Sequence, residues 1–254
     1  MLEVLRPIWQ TKTETATRVR ARMESVLDWA TTNGYREGLN PARWKGHLEN
    51  LLPSPSKVAK VAHHAALPVG AVGEFMRELR KQKGTGARAL EFTILTATRT
   101  GEVIGARWEE FDLPGKTWTI QPERMKASKE HRVPLCDRVL AILAELKQLG
   151  GEYVFPGLKP KKPLSNMAML TLLKRMERGD LTVHGMRSTF RDWAAEQTAY
   201  PHEMAEMALA HTIDNKVEAA YRRGDLFTKR RRLMSDWSAF GTRPPATRQA
   251  PAGA

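Results

Sequence analysis

One amphipathic segment in the C-terminal half constrains the fold of this chain most strongly. From Thr182 the chain reads TVHGMRSTFRDWAA, and its apolar residues recur at the three- and four-residue spacing of an α-helix. His184, Arg187 and Arg191 follow the same spacing on a neighbouring stripe. The segment therefore predicts a helix begun near Thr182, packed by one edge and able to present its neighbouring edge to a ligand. The apolar edge comprises Val183, Met186, Phe190, Trp193 and Ala194.

The residue types on the neighbouring stripe favour a phosphate ligand. A guanidinium donates in-plane, bidentate hydrogen bonds to phosphate oxygens, so the H-x-x-R pair suits a phosphodiester. Taken alone, such a pair is more often a solvated helix face. His211 and Tyr221 follow along the chain. Alone, His211 fits a histidine at a helix C-terminus and Tyr221 a half-buried core tyrosine, so no single residue decides the function.

The balance of charge points to a polyanionic partner. The 254 residues contain 41 Lys and Arg against 28 Asp and Glu, a formal net charge of +13. In a chain without a long apolar run, such a surplus favours nucleic acid, although a merely basic protein has a similar composition. Neither a signal-like nor a membrane-spanning segment is evident, so we expect a cytoplasmic protein without a membrane partner. Cys136 is the only cysteine, which excludes an internal disulfide and a Cys-rich metal site.

Composition divides the chain into four segments. The first is helical and basic, and its helix from Thr17 to Thr31 has arginines outside its apolar face, suited either to a DNA backbone or to solvent. The second is rich in Pro, Ser and Lys, as linkers are, and the last in Pro and Ala, as disordered tails are. His63 and His64 in the second have no matching ligand set, so we predict no metal site there. We interpret the segments as a partial helical domain, a linker, a second domain and a disordered tail, at residues 1–52, 53–67, 68–241 and 242–254.

The start of the second domain places an arginine in a turn. A helix predicted from Arg88 to about Ala97 runs into TATRTGEVIGARW, with Arg99 after its end. Thr100 is a candidate cap for the next helix, and Glu102 lies in that helix's first turn. We therefore expect backbone on both sides to hold the arginine.

A β-hairpin is predicted next. Trp118 to Ile120 alternates as a strand, and a second strand returns at Arg132 to Leu135. Lys126 then lies at or near the hairpin tip, although by composition Lys126 and Lys129 are simply exposed loop lysines. The remaining segments read as helices, so the predicted fold class is mainly α with a small antiparallel β-sheet.

The order of these motifs resembles the tyrosine recombinase (phage integrase) family. The segments TATRTGEVIGARW, ERMKASKEHRVPL, TVHGMRSTFRDWAAE and MALAHTIDNKVEAAYRRGDLF are similar to its prophage and genomic-island branch. The resemblance extends from Leu2 to Phe240. It implies a tyrosine recombinase catalytic domain preceded by part of a helical core-binding domain.

The resemblance also implies which residues act on the scissile phosphate. Tyr221 matches the nucleophile, which forms a 3′-phosphotyrosyl link and releases a 5′-hydroxyl. Arg99 and Arg187 match the arginines that clamp the non-bridging oxygens. Lys126 matches the hairpin lysine that protonates the leaving oxygen, while Lys129 fits the family spacing less well.

The supporting roles follow from the same resemblance. His184 matches the residue that assists proton transfer from the tyrosine, and His211 one that hydrogen-bonds the phosphate. Glu102 matches the acidic residue that supports the site from behind. The family uses neither a metal nor another cofactor, and we expect none here.

The remaining expectations concern the partners of the chain and how much of the family's domain architecture it contains. The family acts on double-stranded DNA attachment sites as a tetramer that exchanges C-terminal segments, sometimes with an excision or DNA-bending accessory factor. The predicted helix from Leu226 to Phe240 is a candidate for that exchange, or it packs within its own chain. The opening LEVLRPIW resembles the middle of the core-binding domain, so we expect an N-terminally truncated recombinase. The alternative is a catalytically impaired DNA-binding remnant. A type IB topoisomerase fits the amino-acid sequences of these motifs poorly.

Overall fold

Helices dominate the computed structural model, which describes residues 1–59, 65–211 and 224–242. Within those ranges the strands form one three-stranded antiparallel sheet. The predicted class, mainly α with a small antiparallel sheet, is confirmed. The chain separates into two units, Met1–His63 and His64–Ala254. Their division falls within the predicted linker, while the predicted tail beyond residue 242 lies outside the described residues.

The first unit packs around two tryptophans. Trp9 is buried and stacks on Trp44 with ring centroids 5.5 Å apart. Its indole Nε1 donates to the carbonyl of Pro53 at 2.9 Å, which satisfies its one buried donor. Leu5, Ala16, Leu48 and Leu52 complete this core. The helices are α1 (Leu2–Trp9), α2 (Thr13–Thr32) and α3 (Pro55–Val58), with a 3₁₀ turn at Leu48–Asn50.

The second half of α2 is largely exposed. The helix forms as predicted, but its buried residues, Thr13 and Ala16, lie in the first turns. Two apolar residues of its second half, Val26 and Trp29, are 64% and 60% exposed. Helices α1 and α3 pack against α2. Apart from Ala16 of α2, the buried residues of this core cluster come from α1 and from residues 48–52. The predicted apolar face is therefore covered over only part of its length.

The second unit is organised around one buried helix. Every residue of α5 from Ala87 to Thr96 is buried. Thr93 and Thr96 donate their hydroxyls to the carbonyls of Ala89 and Phe92, so these polar side chains are satisfied inside the core. The helices of this unit are α4 (Val72–Lys81), α5 (Thr85–Thr96), α6 (Thr100–Ile104), α7 (Asp137–Lys147), α8 (Ala168–Arg175), α9 (Gly185–Gln197), α10 (His202–Ala208) and α11 (Phe227–Phe240).

The sheet adds one strand to the predicted hairpin. The order is β1 (Phe111–Asp112), β2 (Thr117–Ile120) and β3 (His131–Pro134). In β2 and β3, Trp118 pairs with Val133 and Ile120 with His131. All four side chains are buried, so this face of the hairpin packs into the core.

The last helix packs within its own chain. Trp237 of α11 is buried against Phe190 and Trp193 of α9, and its indole donates to the carbonyl of Ile94 at 2.8 Å. Leu233 is fully buried as well. Packing within the chain is thus observed for this segment, and its exchange between chains stays a prediction.

Candidate active site

Arg99 lies where the buried helix α5 ends. Ala97 takes a left-handed conformation, with φ of 53°, and turns the chain out of the helix. Arg99 is the N-cap of α6, one residue earlier than the predicted cap at Thr100. Glu102 replaces the side-chain cap that arginine cannot supply: its carboxylate accepts from the Arg99 backbone N–H and from Nη1, both at 2.8 Å. Glu102 is 4% exposed, so it supports Arg99 from the protein side.

Arg187 reaches the same region from α9. The apolar stripe predicted for this helix is buried throughout, but the helix begins at Gly185 instead of near Thr182. The Arg187 residue is 4% exposed, whereas the sequence placed it on the edge open to a ligand. Its guanidinium donates to the carbonyls of Ala97 and Leu209, the latter at 2.6 Å from Nη2.

The start of α9 is fixed by a close approach of two backbones. Gly185 faces the carbonyl of Ala65 so closely that a Cβ would overlap it. Thr189 donates its hydroxyl to the carbonyl of Leu67 at 2.7 Å, one turn into the helix. These contacts fix the position and rotation of α9, and with them the inward direction of the Arg187 side chain.

Helix C-terminal ends hold both arginines. Arg187 donates to carbonyls at the ends of α5 and α10, and Arg99 Nη2 lies 3.3 Å from the carbonyl of Ala210, just beyond α10. Carbonyls at a helix end lack partners within the helix and carry its negative dipole, so they suit cations. Burial, and then the positive charge of Arg99, lower the pKa of Arg187 to about 10. The site therefore concentrates positive charge that an anion would stabilise.

His211 completes this cluster. Its Nε2 lies 3.2 Å from Arg187 Nη2, and its Nδ1 lies 2.6 Å from a carboxylate oxygen of Glu206. Its side chain is 37% exposed, so the ring borders solvent as well as the arginines. The structure thus brings Arg99, Glu102, Arg187 and His211 into one network.

Lys126 and His184, two further predicted site residues, are both exposed. Lys126 is exposed on the loop between β2 and β3, as predicted, and within the described residues it makes no hydrogen bond or ion pair. His184 is exposed at the N-cap of α9, one residue ahead of the helix. Tyr221, the predicted nucleophile, lies outside the described residues.

Asp225, four residues after Tyr221 in the sequence, pairs with two arginines of the second unit. Asp225 forms a bidentate pair with Arg132 of β3, at 2.8 and 2.9 Å, and a further bond with Arg230 at 3.0 Å. Burial raises the pKa of Asp225, but the hydrogen bond from Arg132 and the charges of Arg230 and Arg132 outweigh it and lower the pKa. The described ends of this segment, His211 and Asp225, are therefore both tied to the second unit.

The sequence reasoning missed two polar residues of this region, His131 and Glu206. His131 opens β3 and is 7% exposed. Its burial, and then the charge of Arg230, lower its pKa to about 4; Arg187 and Arg99 act in the same direction, against a hydrogen bond to the backbone of Ala208. Extending the alternation of Arg132 to Leu135 back by one residue would have placed His131 on the buried face. No local sequence pattern indicated that Glu206 would lie in this region.

The described residues supply neither a metal site nor a membrane span. In those ranges, no cluster of three or more His, Cys, Asp or Glu side chains could hold a metal ion. Among the helices of the same ranges, none is long and apolar enough to cross a membrane.

Comparisons with known proteins identify a family for this chain. Residues 70–225 match the model of the phage integrase family, and residues 1–47 match that of the phage integrase central domain. Among curated proteins, prophage integrase IntA of Escherichia coli K12 is 40% identical over 57% of this chain and 36% of its own length. The integrase of Enterobacteria phage P4 is 29% identical over 90% of this chain and 55% of its own length. The chain thus spans about half or less of the length of these two relatives.

Solved structures share the fold at lower sequence identity. A lambda integrase dimer bound to a COC′ core site superposes with a TM-score of 0.58, at 17% identity, over 82% of this chain and 76% of that one. A lambda integrase tetramer bound to a Holliday junction gives 0.59, at 17% identity, over 82% and 62%. At this identity the likeness concerns the fold. Because the family match covers more than half of the sequence, the chain belongs to the phage integrase family.

Proposed function

We propose that this chain is a site-specific recombinase that cleaves and rejoins double-stranded DNA through a 3′-phosphotyrosyl link on Tyr221, in integration or excision of a mobile element. The observation that carries the proposal is the convergence of Arg99 and Arg187 beside His211. Within the described chain, Glu102 is the only carboxylate that hydrogen-bonds either guanidinium. A phosphodiester would supply the missing negative charge.

The chemistry needs positive charge around the phosphate. In the cleavage step the Tyr221 oxygen bonds to phosphorus, the bond to the 5′-oxygen breaks, and the tyrosine proton passes to solvent with the assistance of His184. Lys126 donates a proton to the leaving 5′-oxygen. Arg99 and Arg187 offset the charge that builds on the non-bridging oxygens, and preorganised donors of this kind contribute about 3 to 4 kcal/mol each. Reversal of these steps by a 5′-hydroxyl rejoins the strand, and no metal is required.

Tyr200 is a poor competitor for the nucleophile's role. The chain has four tyrosines, and Tyr200 donates its hydroxyl to Asp236 at 2.6 Å. Burial, and then that hydrogen bond and the charge of Asp236, raise the pKa of Tyr200 to about 12. A phenol held protonated in this way is not activated for attack.

Domain roles and assembly follow from the family. We assign residues 1–52 to a partial core-binding domain, 53–67 to a linker and 68–241 to the catalytic domain, with a tail at 242–254. The net charge of +13 supports DNA as the partner. By analogy with the lambda integrase tetramer bound to a Holliday junction, we infer that this chain assembles as a tetramer on its attachment sites.

A nicked suicide duplex tests the proposal. The duplex contains the candidate attachment site from the flanking genome, and a denaturing gel detects covalent protein–DNA adducts. We expect an adduct with the wild-type chain and with Tyr200→Phe, and none with Tyr221→Phe. Salt-sensitive retention of DNA without an adduct would contradict the enzyme and favour the impaired DNA-binding remnant.

A further inference from the structure

Glu206 is the one carboxylate that contacts His211 in the described chain. It lies on α10, and its side chain is 16% exposed. One oxygen, Oε2, lies 2.6 Å from His211 Nδ1. The other, Oε1, lies 2.7 Å from Nε of Arg191 on α9 and 3.6 Å from Nε2 of His202. A single carboxylate thus faces His211 on one side and charged or titratable groups of two helices on the other.

These contacts fix the proton on the His211 ring. The neighbour at Nε2 is Arg187 Nη2, which can only donate, so Nε2 accepts and has no proton. The proton of the neutral ring is then on Nδ1, where it is donated to Glu206. Glu206 at Nδ1 and Arg187 at Nε2 therefore favour the same tautomer.

A bound phosphate demands a different state of the same ring. A non-bridging oxygen is an acceptor, so His211 must offer it an N–H from Nε2. For that, Arg187 Nη2 must turn from the ring to the phosphate, and Nε2 must take up a proton from solvent. The product is an imidazolium whose Nδ1–H still points at a carboxylate, which stabilises the cation.

We propose that Glu206 is a positioning residue for His211: it holds the ring proton on Nδ1 in the free protein and stabilises the imidazolium that forms when a phosphate oxygen replaces Arg187 at Nε2. The inference rests on the proposed function, because it takes the phosphate to be that of DNA. Arg191 contacts the other oxygen of the carboxylate: its Nε lies 2.7 Å from Oε1, an ion pair between α9 and α10 that is not aligned as a hydrogen bond. The sequence had placed Arg191 on the helix stripe without a role.

The tautomer is measured without any enzymatic activity. With ¹⁵N-labelled histidine, long-range ¹H–¹⁵N spectra distinguish protonation at Nδ1 from protonation at Nε2, and loss of a signal in His211→Gln assigns the ring. We expect the Nδ1–H form in the wild-type chain and a smaller share of that form in Glu206→Ala, where only Arg187 still favours it. An unchanged His211 spectrum in Glu206→Ala would overturn the proposal.

The charge is tested by single-turnover cleavage of the suicide duplex. Glu206→Gln keeps an acceptor for Nδ1 but removes the charge, and we expect a loss of about 10- to 100-fold in rate, as for carboxylates behind metal-binding histidines. DNA affinity, which rests on many phosphate contacts, should stay within a few-fold. Arg191→Gln, which breaks the tie between helices, and Glu196→Gln, which removes an exposed charge on α9, are the matched controls.

The outcomes separate a positioning role from a structural one. A much larger loss in Glu206→Gln than in Arg191→Gln supports the proposal, whereas equal losses would reduce Glu206 to a tie between helices and overturn it. If the wild-type chain forms no adduct at all, the proposed function fails, while the ¹⁵N spectra still decide whether Glu206 controls the His211 proton.

Discussion

Two groups of arginines in the second unit have opposite surroundings. Around Glu91, which is fully buried, Arg80, Arg88 and Arg138 converge from α4, α5 and α7, with nitrogen–oxygen distances of 2.7 to 2.8 Å. In the candidate site, Arg187 is held mainly by backbone carbonyls, and Arg99 by Glu102 and the carbonyl of Ala210. In the first group the arginines bind the carboxylate of Glu91, and the shared ion pairs join three helices. The second leaves its donors arranged around a place where an anion can bind.

The titration of buried groups shows the same contrast. Burial raises the pKa of Glu91, but hydrogen bonds and charges from Arg138 and Arg80 outweigh it, so the pKa is lowered and the carboxylate stays ionised. Burial and nearby arginines both lower the pKa of His131, so the imidazole stays neutral. Arginines therefore stabilise the charge at Glu91 and oppose it at His131. We expect variants of the Glu91 group to change stability and variants of the site to change catalysis.

The largest expected effect is that of Arg187→Lys on cleavage. Lysine keeps the charge but cannot donate at once to the carbonyls of Ala97 and Leu209 and to a phosphate. We expect the single-turnover rate of adduct formation to fall by about 100- to 1000-fold, the loss for one transition-state donor. Arg138→Lys is the matched control in the Glu91 group and should cleave normally. A rate for Arg187→Lys within a few-fold of wild type would remove the distinction between the groups.

Glu91→Gln should act on stability instead. It leaves Arg80, Arg88 and Arg138 without their carboxylate, and we expect the free energy of unfolding to fall by about 3 kcal/mol, near the lower end for buried ion pairs because two of the arginines are partly exposed. The wild-type contribution is present above the unfolded pKa near 4.5 and is lost as pH falls through the lowered folded value. Urea unfolding of Glu91→Gln beside Glu196→Gln measures the effect. Equal midpoints for the two variants would show that the buried carboxylate contributes nothing.

His131 should make stability depend on pH in a different window. An unfolded chain takes up a proton on this histidine near pH 6.5, whereas the folded chain does so only near pH 4. Stability must therefore fall as pH falls between these values, by on the order of 2 to 3 kcal/mol. His131→Gln keeps a donor for the backbone of Ala208 but cannot titrate, so its stability should be flatter across this window. Parallel curves for variant and wild type, from urea unfolding at several pH values, would contradict the assignment.

The sequence predicted what depends on local pattern. The apolar stripe of α9, the turn at Arg99 and the loop of Lys126 all follow from spacing within one or two elements, and the structure has them. The contacts of Glu91 with Arg138 and of Glu206 with His211 join different elements, and no periodicity relates such residues. The burial of Arg187 also escaped prediction, because the carbonyls that satisfy it come from the ends of α5 and α10. Local rules thus predicted the elements that contain the candidate residues, while the contacts between those elements required the tertiary structure.

The smallest expected effect separates the two groups without any DNA. Inorganic sulfate resembles a phosphodiester in charge and shape, and we expect it to bind beside Arg187, whose hydrogen bonds go to carbonyls and His211, and not beside Glu91, whose arginines already share a carboxylate. With a dissociation constant of about 10 mM, 50 mM sulfate would stabilise the wild-type chain by about 1 kcal/mol relative to chloride at equal ionic strength. General exclusion of sulfate from protein surfaces also stabilises folded chains, but it should act equally on all variants. Arg138→Gln should therefore keep the whole increment in unfolding midpoint, and Arg187→Lys should lose the part that comes from binding. If Arg187→Lys gained as much from sulfate as Arg138→Gln, the arginines of the site would be satisfied by their carbonyls alone, and the contrast with the Glu91 group would fail.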